Sequence, residues 1–220
     1  LPKYADGSEI TYEVTENAVS EYTTAVTGDA ENGYTFTNSH TPETINIEVT
    51  KTWNDADDQD GKRPGKITVN LLANGVKVDD KEVTAANDWN YSFTDLPKYA
   101  GGNEITYSVT ENAVEDYQTL VNGYDITNSY TPGKTSVSVT KAWDDADNQD
   151  GKRPGNIQVK LLADGSVYAT KTVTEAENWE YSFTNLPKYR DGGIQIKYSV
   201  SEVDVPEYTG EVTGYNITNS

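Results

Sequence analysis

Residues 45–53 read INIEVTKTW, an alternation of apolar and polar positions with the period of two expected of a strand with one buried face. Ile45, Ile47, Val49 and Trp53 share the apolar phase, and Asn46, Glu48, Thr50 and Thr52 take the other. Lys51 falls in the apolar phase, which puts an ammonium in the core stripe. The segments KITVNLLANG, VKVDDKEVT, WNYSF, EITYSVTE and YDITNSY also read as strands, separated by turns rich in Gly, Asp, Asn and Pro. Asn74-Gly75 and Asp164-Gly165 each follow an apolar strand and predict tight hairpins. No segment of ten or more residues carries a convincing helical period. Roughly seven short strands per repeated unit predict an all-β chain of immunoglobulin-like sandwiches.

The pattern repeats. VTKTWNDADDQDGKRPG at 49–65 returns as VTKAWDDADNQDGKRPG at 139–155, so Lys51 and Lys141 are 90 residues apart. NDWNYSFTDLPKY at 87–99 returns as ENWEYSFTNLPKY at 177–189, and YSVTE at 107–111 as YSVSE at 198–202, with one residue inserted near Gly192. A partial copy opens the chain: LPKYADGSEITYEVTENAV at 1–19 matches 96–114, and YTFTNSHTP at 34–42 matches 124–132. These matches divide the chain into residues 1–43, the C-terminal half of one repeat, and two complete repeats at 44–132 and 133–220. The reading is a slice of a longer array whose partners are neighbouring repeats. Half a sandwich exposes strand edges and an open core, so order in 1–43 calls for something to complete it. The joints SHTPE and SYTPG are short and each contains one proline, which predicts a semi-rigid rod.

Phasing the remaining strands brings two more polar residues inward. Glu111 continues the face of Ile105, Tyr107 and Val109, and Asn128 continues that of Tyr124 and Ile126. The next copy repeats the placements with Val137, Val139, Lys141 and Trp143, then Tyr198, Val200 and Glu202, then Tyr215, Ile217 and Asn219. The opening segment keeps Glu16 and Asn38 but has no lysine for them. A buried Lys–Glu ion pair alone is a poor stabiliser, because desolvation offsets the Coulomb gain. Chemistry gives each residue a task. Burial beside Trp53 favours a neutral, nucleophilic Lys51 amine, and the same surroundings favour a neutral Glu111. The amide carbon of Asn128 is then the electrophile, Glu111 polarises its carbonyl and relays protons, and ammonia leaves. The product is a Lys–Asn isopeptide crosslink.

Composition removes most other chemistry. The chain has 220 residues, no cysteine and one histidine, His40, which excludes disulfides, thiolate metal sites and cysteine nucleophiles and leaves little for imidazole catalysis. His40 lies in a proline joint and is read as an exposed linker residue. A formal charge of -19 and a pI near 4.2 repel phosphate backbones and anionic membranes, so no nucleic acid partner is expected. No apolar run has the roughly 18 residues of a spanning helix and the N-terminus lacks the shape of a signal peptide, so no membrane insertion is expected in this segment. Any export signal or anchor is expected outside it, and no cofactor is called for.

With these residues in place the chain resembles the B-type repeat domains of collagen-adhesin-like surface proteins of Gram-positive bacteria, the CnaB-like domains. The resemblance rests on the lysine followed by Trp and a QDGKRP loop, the W-x-Y-x-F-x-x-LP segment, the Y-x-V-x-E strand and the terminal I-T-N, and it covers both complete copies and the opening segment. It implies a reverse-immunoglobulin sandwich with a spontaneous isopeptide bond from a first-strand Lys to a last-strand Asn, assisted by Glu. Carried over, these are Lys51, Glu111 and Asn128, then Lys141, Glu202 and Asn219, with Glu16 and Asn38 matching two positions of a third set. It also implies a structural stalk at the cell wall, not a turnover enzyme, with any host ligand bound by another domain.

Two other classes compete. Asp55, Asp57, Asp58 and Asp60, and Asp144, Asp145, Asp147 and Asp150, crowd one loop per copy and suggest a calcium-dependent module. The EF-hand register fails, since counting from Asp55 puts Asp60 where glycine is needed and Lys66 where the bidentate Glu belongs, so no metal site is assigned. Lys62 and Arg63 are expected to pair with those carboxylates. Four Trp and sixteen Tyr raise a carbohydrate-binding module. The shared strand face of Trp89, Tyr91 and Phe93, and of Trp179, Tyr181 and Phe183, assigns them to core packing instead. Paired carboxylates suited to glycoside hydrolysis are not singled out, and the sequons at Asn90 and Asn216 are read as coincidence.

Overall fold

Period-two alternation builds nearly all the secondary structure. The computed structural model describes residues 1–220. Its first strands are β1 (Tyr4–Ala5), β2 (Ser8–Glu9), β3 (Thr23–Asp29) and β4 (Gly33–Ser39). The first complete repeat supplies β5 (Thr44–Asn54), β6 (Lys66–Ala73), β7 (Val76–Thr84), β8 (Asn90–Pro97), β9 (Tyr99–Ala100), β10 (Asn103–Glu104), β11 (Tyr107–Glu111), β12 (Gln118–Asn122) and β13 (Asp125–Ser129). The second supplies β14 (Lys134–Trp143), β15 (Asn156–Ala163), β16 (Ser166–Thr174), β17 (Glu180–Pro187), β18 (Tyr189–Arg190), β19 (Ile194–Gln195), β20 (Tyr198–Glu202), β21 (Gly210–Thr213) and β22 (Asn216–Asn219). The only helical turns are the three-residue 3-10 segments Ala85–Asn87 and Glu175–Glu177.

The chain divides into two units, one of Leu1–Ile47 with Ser92–Tyr107 and the other of Glu48–Tyr91 with Ser108–Ser220. In the first, β1 pairs with β2 and β3 with β4, both antiparallel. No residue of 1–43 is buried; Tyr12, Tyr34 and Phe36 are half-covered and Val26 is exposed. The hairpins of the half-repeat are therefore present without the core that normally stabilises such pairs.

The second complete repeat, which lies wholly in the other unit, has two sheets ordered β17-β14-β22-β21 and β16-β15-β20. Their inner faces supply Val137, Val139, Val159, Leu161, Val200 and Ile217 to one apolar core. The first complete repeat has the same orders, β12-β13-β5-β8 and β11-β6-β7. Asn74 and Gly75 have φ of 50° and 81°, Asp164 and Gly165 of 50° and 84°, as the predicted two-residue hairpins require. The pairings Ala73↔Val76 and Ala163↔Ser166 close those turns.

The decisive feature for chemistry is that the first and last strands of each repeat are parallel neighbours. β13 runs beside β5 with Ile126 opposite Lys51 and Asn128 opposite Trp53; β22 runs beside β14 with Ile217 opposite Lys141 and Asn219 opposite Trp143. Lys and Asn are thus diagonal neighbours on one sheet face.

Three expectations need correction. Tyr124 and Tyr215 are 37% and 39% exposed, not core residues, because each stands at the glycine turn before its strand. Trp89 and Trp179 precede their strands with φ of 59° and 60°, although their rings still turn inward. Ile105 lies outside the strand that begins at Tyr107.

Candidate crosslink site

Alternation along β5 carries Lys51 inward with Ile47 and Val49, and all three are buried. β11 brings Glu111 from the opposite sheet, so that Lys51 Nζ lies 3.1 Å from Glu111 Oε1 with both side chains fully covered. The approach is off the direction of a hydrogen bond, and Nζ and Oε1 have no hydrogen-bond partner. The indole of Trp53 lies 4.4 Å from Nζ. Burial pushes the Lys51 pKa below its ordinary value, against the opposing pull of Glu111 and Asp55. Asn128 is wholly buried and neither its Oδ1 nor its Nδ2 has a partner. An unreacted carboxamide costs free energy in such a place, since its lost water contacts are not replaced.

The second copy reproduces the arrangement with small differences. Lys141 Nζ lies 3.6 Å from Glu202 Oε1 and 4.1 Å from the Trp143 ring, and also donates to the carbonyl of Ala142 at 3.2 Å. Burial outweighs the Glu202 charge and lowers the Lys141 pKa to about 8. Asn219 is wholly buried with both amide atoms unpartnered. In the opening segment Asn38 Nδ2 donates to Glu16 Oε1 at 3.1 Å, and Thr24 Oγ1 lies 2.5 Å from Asn38 Oδ1. That pair is exposed.

The profile described as Cna protein B-type domain matches residues 1–39, 47–129 and 137–220. The chain belongs to the Cna B-type domain family. It is 47% identical over its whole length to a collagen adhesin of Staphylococcus aureus, of which it spans 19%. The crystal structure of two B repeat units of the S. aureus collagen binding protein matches the whole chain and 60% of that chain, at 46% identity and a TM-score of 0.55. The single B repeat unit from the same organism, described as part of a collagen binding surface protein, is 49% identical over 80% of this chain and 98% of its own, with a TM-score of 0.40.

Within these B-type repeats the acidic loops hold structure together. Asp55 is 2% exposed and accepts from Arg63 Nη2 at 2.6 Å, Arg63 Nε at 3.0 Å, Tyr117 Oη at 2.8 Å and the Asp58 amide at 3.0 Å. Burial opposes its charge, but these bonds prevail and hold its pKa below the ordinary carboxylate value. Arg153, Tyr208 and Asn148 treat Asp145 in the same way. Arg63 therefore pairs as expected, whereas Lys62 reaches out of the loop to Asp116 at 2.8 Å. Of the weaker candidate ligands, Asp57 is exposed at 4.0 Å from Arg63, Asp60 is buried among protein donors, and Asp144, Asp147 and Asp150 are exposed. No three acidic or histidine side chains converge on a common point.

Sequence reasoning passed over Tyr117 and Thr119. Tyr117 closes the Asp55 network and packs edge-on to Trp53 at 5.0 Å between ring centres, while Thr119 Oγ1 donates to Glu111 Oε2 at 2.9 Å. Their signal was in the repeat: Tyr22, Tyr117 and Tyr208 coincide when the copies are superposed, and Thr24 matches Thr119.

Proposed function

We propose that residues 44–132 and 133–220 are stalk repeats that each close a Lys–Asn isopeptide bond without an enzyme. The observation that carries this reading is a buried amine and a buried carboxamide on parallel first and last strands, with a buried carboxyl from the facing sheet against the amine, and with Lys51 Nζ, Glu111 Oε1 and both amide atoms of Asn128 lacking hydrogen-bond partners. The Lys51 ammonium passes a proton to Glu111, and the neutral amine attacks Cγ of Asn128. Glu111 returns that proton to Nδ2 as the C–N bond of the carboxamide breaks, and its carboxylate then takes the second proton from the attacking nitrogen, leaving a neutral secondary amide, a neutral Glu111 and ammonia. One amide forms, one breaks, and ammonia leaves; no oxidant or co-reactant is needed. Lys141, Glu202 and Asn219 do the same. Glu16 and Asn38 are the corresponding pair of a third set, and a lysine strand from outside residues 1–43 completes it.

Closing residues 51 to 128 stabilises the repeat by about 4–5 kcal/mol if the loop-entropy relation for disulfides is applied. The staple resists reducing agents, which suits an extracellular, wall-anchored stalk that displays a separate ligand-binding domain. Intact mass spectrometry tests the reading: the chain should weigh less than its sequence by two ammonia molecules. Lys51→Ala or Glu111→Ala should restore one of them, and a chain at full sequence mass rejects the chemistry.

A further inference from the structure

Where the SYTPG connector leaves the first complete repeat, its residues do not trail into solvent. The Tyr130 amide donates to the Asn54 carbonyl at 2.9 Å, its ring lies 5.5 Å from that of Tyr117, and its hydroxyl donates to Asp60 Oδ2 at 3.0 Å. The Gly133 amide donates to the same carboxylate oxygen at 2.7 Å. Asp60 is 8% exposed as a result. From the following repeat, the Gly193 amide donates to the Gln59 carbonyl at 3.1 Å. A Cβ on Gly61 would stand 2.3 Å from the Gly192 carbonyl oxygen, and one on Gly193 2.9 Å from that of Asp60. Both glycines have φ in the left-handed region, 66° and 94°. The turn that meets the loop contains the residue inserted near Gly192, absent from the corresponding turn at 99–104.

The same loop recurs in the second complete repeat, identical over QDGKRPG. It borders a cavity of about 530 Å³ lined by Asp144, Asn148, Gln149, Asp150, Tyr208 and Ser220 among others. These are the counterparts of Asn54, Asp58, Gln59, Asp60, Tyr117 and Ser129, the surroundings of the Tyr130 seat. Asp150, unlike Asp60, is exposed. In the opening segment the residue at the Tyr130 position is His40, and it lies 5.4 Å from the Tyr22 ring, as Tyr130 lies against Tyr117. An aromatic connector ring against this tyrosine therefore recurs in the opening segment.

We infer that the QDGKRPG loop is a socket for the following repeat, with the connector aromatic and glycine amide plugged onto its terminal aspartate, and that the Asp150 cavity takes another B-type repeat joined by a Tyr-Thr-Pro-Gly connector. The loop's acidic surplus then serves as hydrogen-bond acceptor for a neighbour of the same chemistry. The inference is independent of the crosslink, since none of its contacts involves Lys51, Glu111 or Asn128.

Electron–electron distance measurements on the full chain, spin-labelled at Val78→Cys and Val167→Cys, test the occupied socket. A narrow distance distribution is expected for the parent chain and a broadened one for Asp60→Ala, with Tyr130→Phe broadening it less because only the hydroxyl is lost. Unchanged crosslink mass and circular dichroism will show that the repeats themselves remain folded. An unaltered distribution in both variants overturns the inference. For the Asp150 cavity, the chain is extended after Ser220 by a copy of residues 130–220 and labelled across the new joint. Narrow distances that broaden with Asp150→Ala are expected; a joint already broad with Asp150 in place rejects the assignment of that cavity.

Discussion

A lysine that loses charge on burial makes its stability contribution pH-dependent, and the sign can be worked out for Lys141. Its pKa falls from the ordinary 10.5 to about 8 in the fold, so between these values the unfolded chain binds the proton that the folded chain has released. Stability therefore rises with pH across that window. The effect belongs to the free amine, so it should be visible in Asn219→Ala, which cannot close the bond, and absent when Lys141→Met is added. Urea unfolding of the single and double variants from pH 7.5 to 10.5 measures it; parallel curves would contradict a neutralised lysine. The two complete repeats also differ at one residue that touches the carboxyl. Thr119 donates to Glu111, but its counterpart is Gly210, where a Cβ would stand 3.2 Å from Glu202 Oε2. A cavity of about 210 Å³ lined by Gly210 and Glu202 opens there. A fixed carboxyl relays protons with less reorganisation. In an Asn219→Ala background, Thr119→Gly should slow ammonia loss from newly synthesised chain, followed by mass, and Thr119→Ser should restore it.

At the scale of elements, the loop after each first strand forms a strap over the tryptophan beside the amine, with Arg63 against Trp53 and Arg153 against Trp143. Trp53 stands between Trp89 and Tyr117, at ring separations of 5.1 and 5.0 Å, and Arg63 lies 5.5 Å from its ring while clamping Asp55. Removing the guanidinium leaves a carboxylate only 1% exposed without its countercharge. Arg63→Ala should cost roughly 3–5 kcal/mol, the range for breaking a buried pair, when melting is measured in Lys51→Ala so that the crosslink does not mask the loss. This strap also marks the limit of what strand periodicity reveals. Lys51, Glu111 and Asn128 were legible because each keeps the phase of buried neighbours on its own strand, and Asn74-Gly75 because both residues tolerate positive φ. Trp89 and Tyr124 misled because phase was extended beyond the strand ends, where left-handed or glycine turns redirect the chain. Partners between distant segments, such as Lys62 with Asp116 or Tyr130 with Asp60, have no local signature at all; they follow from loop paths that only tertiary packing sets.

At the scale of the whole molecule, the route taken by tension is the property that distinguishes a crosslinked repeat from an ordinary sandwich. Load entering at residue 44 meets β5 and leaves through β13, and these are parallel neighbours, so force shears their hydrogen bonds together. With the Lys51–Asn128 bond closed, tension crosses from one strand to the other through the side-chain amide and the residues between 51 and 128 carry none of it. The connector residues Tyr130 and Gly133 that bind Asp60 lie on the chain beyond residue 128, so tension leaving through β13 reaches this joint before the next repeat. Pulling the full chain in a force spectrometer should therefore show no unfolding step from either complete repeat. In Lys51→Ala the first complete repeat should open with a contour gain of roughly 260 Å for the freed segment at about 3.4 Å per residue, while the second remains closed. Adding Asn219→Ala should produce a second step of similar size. A parent chain that shows these steps already would mean that the load passes through hydrogen bonds alone, and that the buried amine and carboxamide never joined.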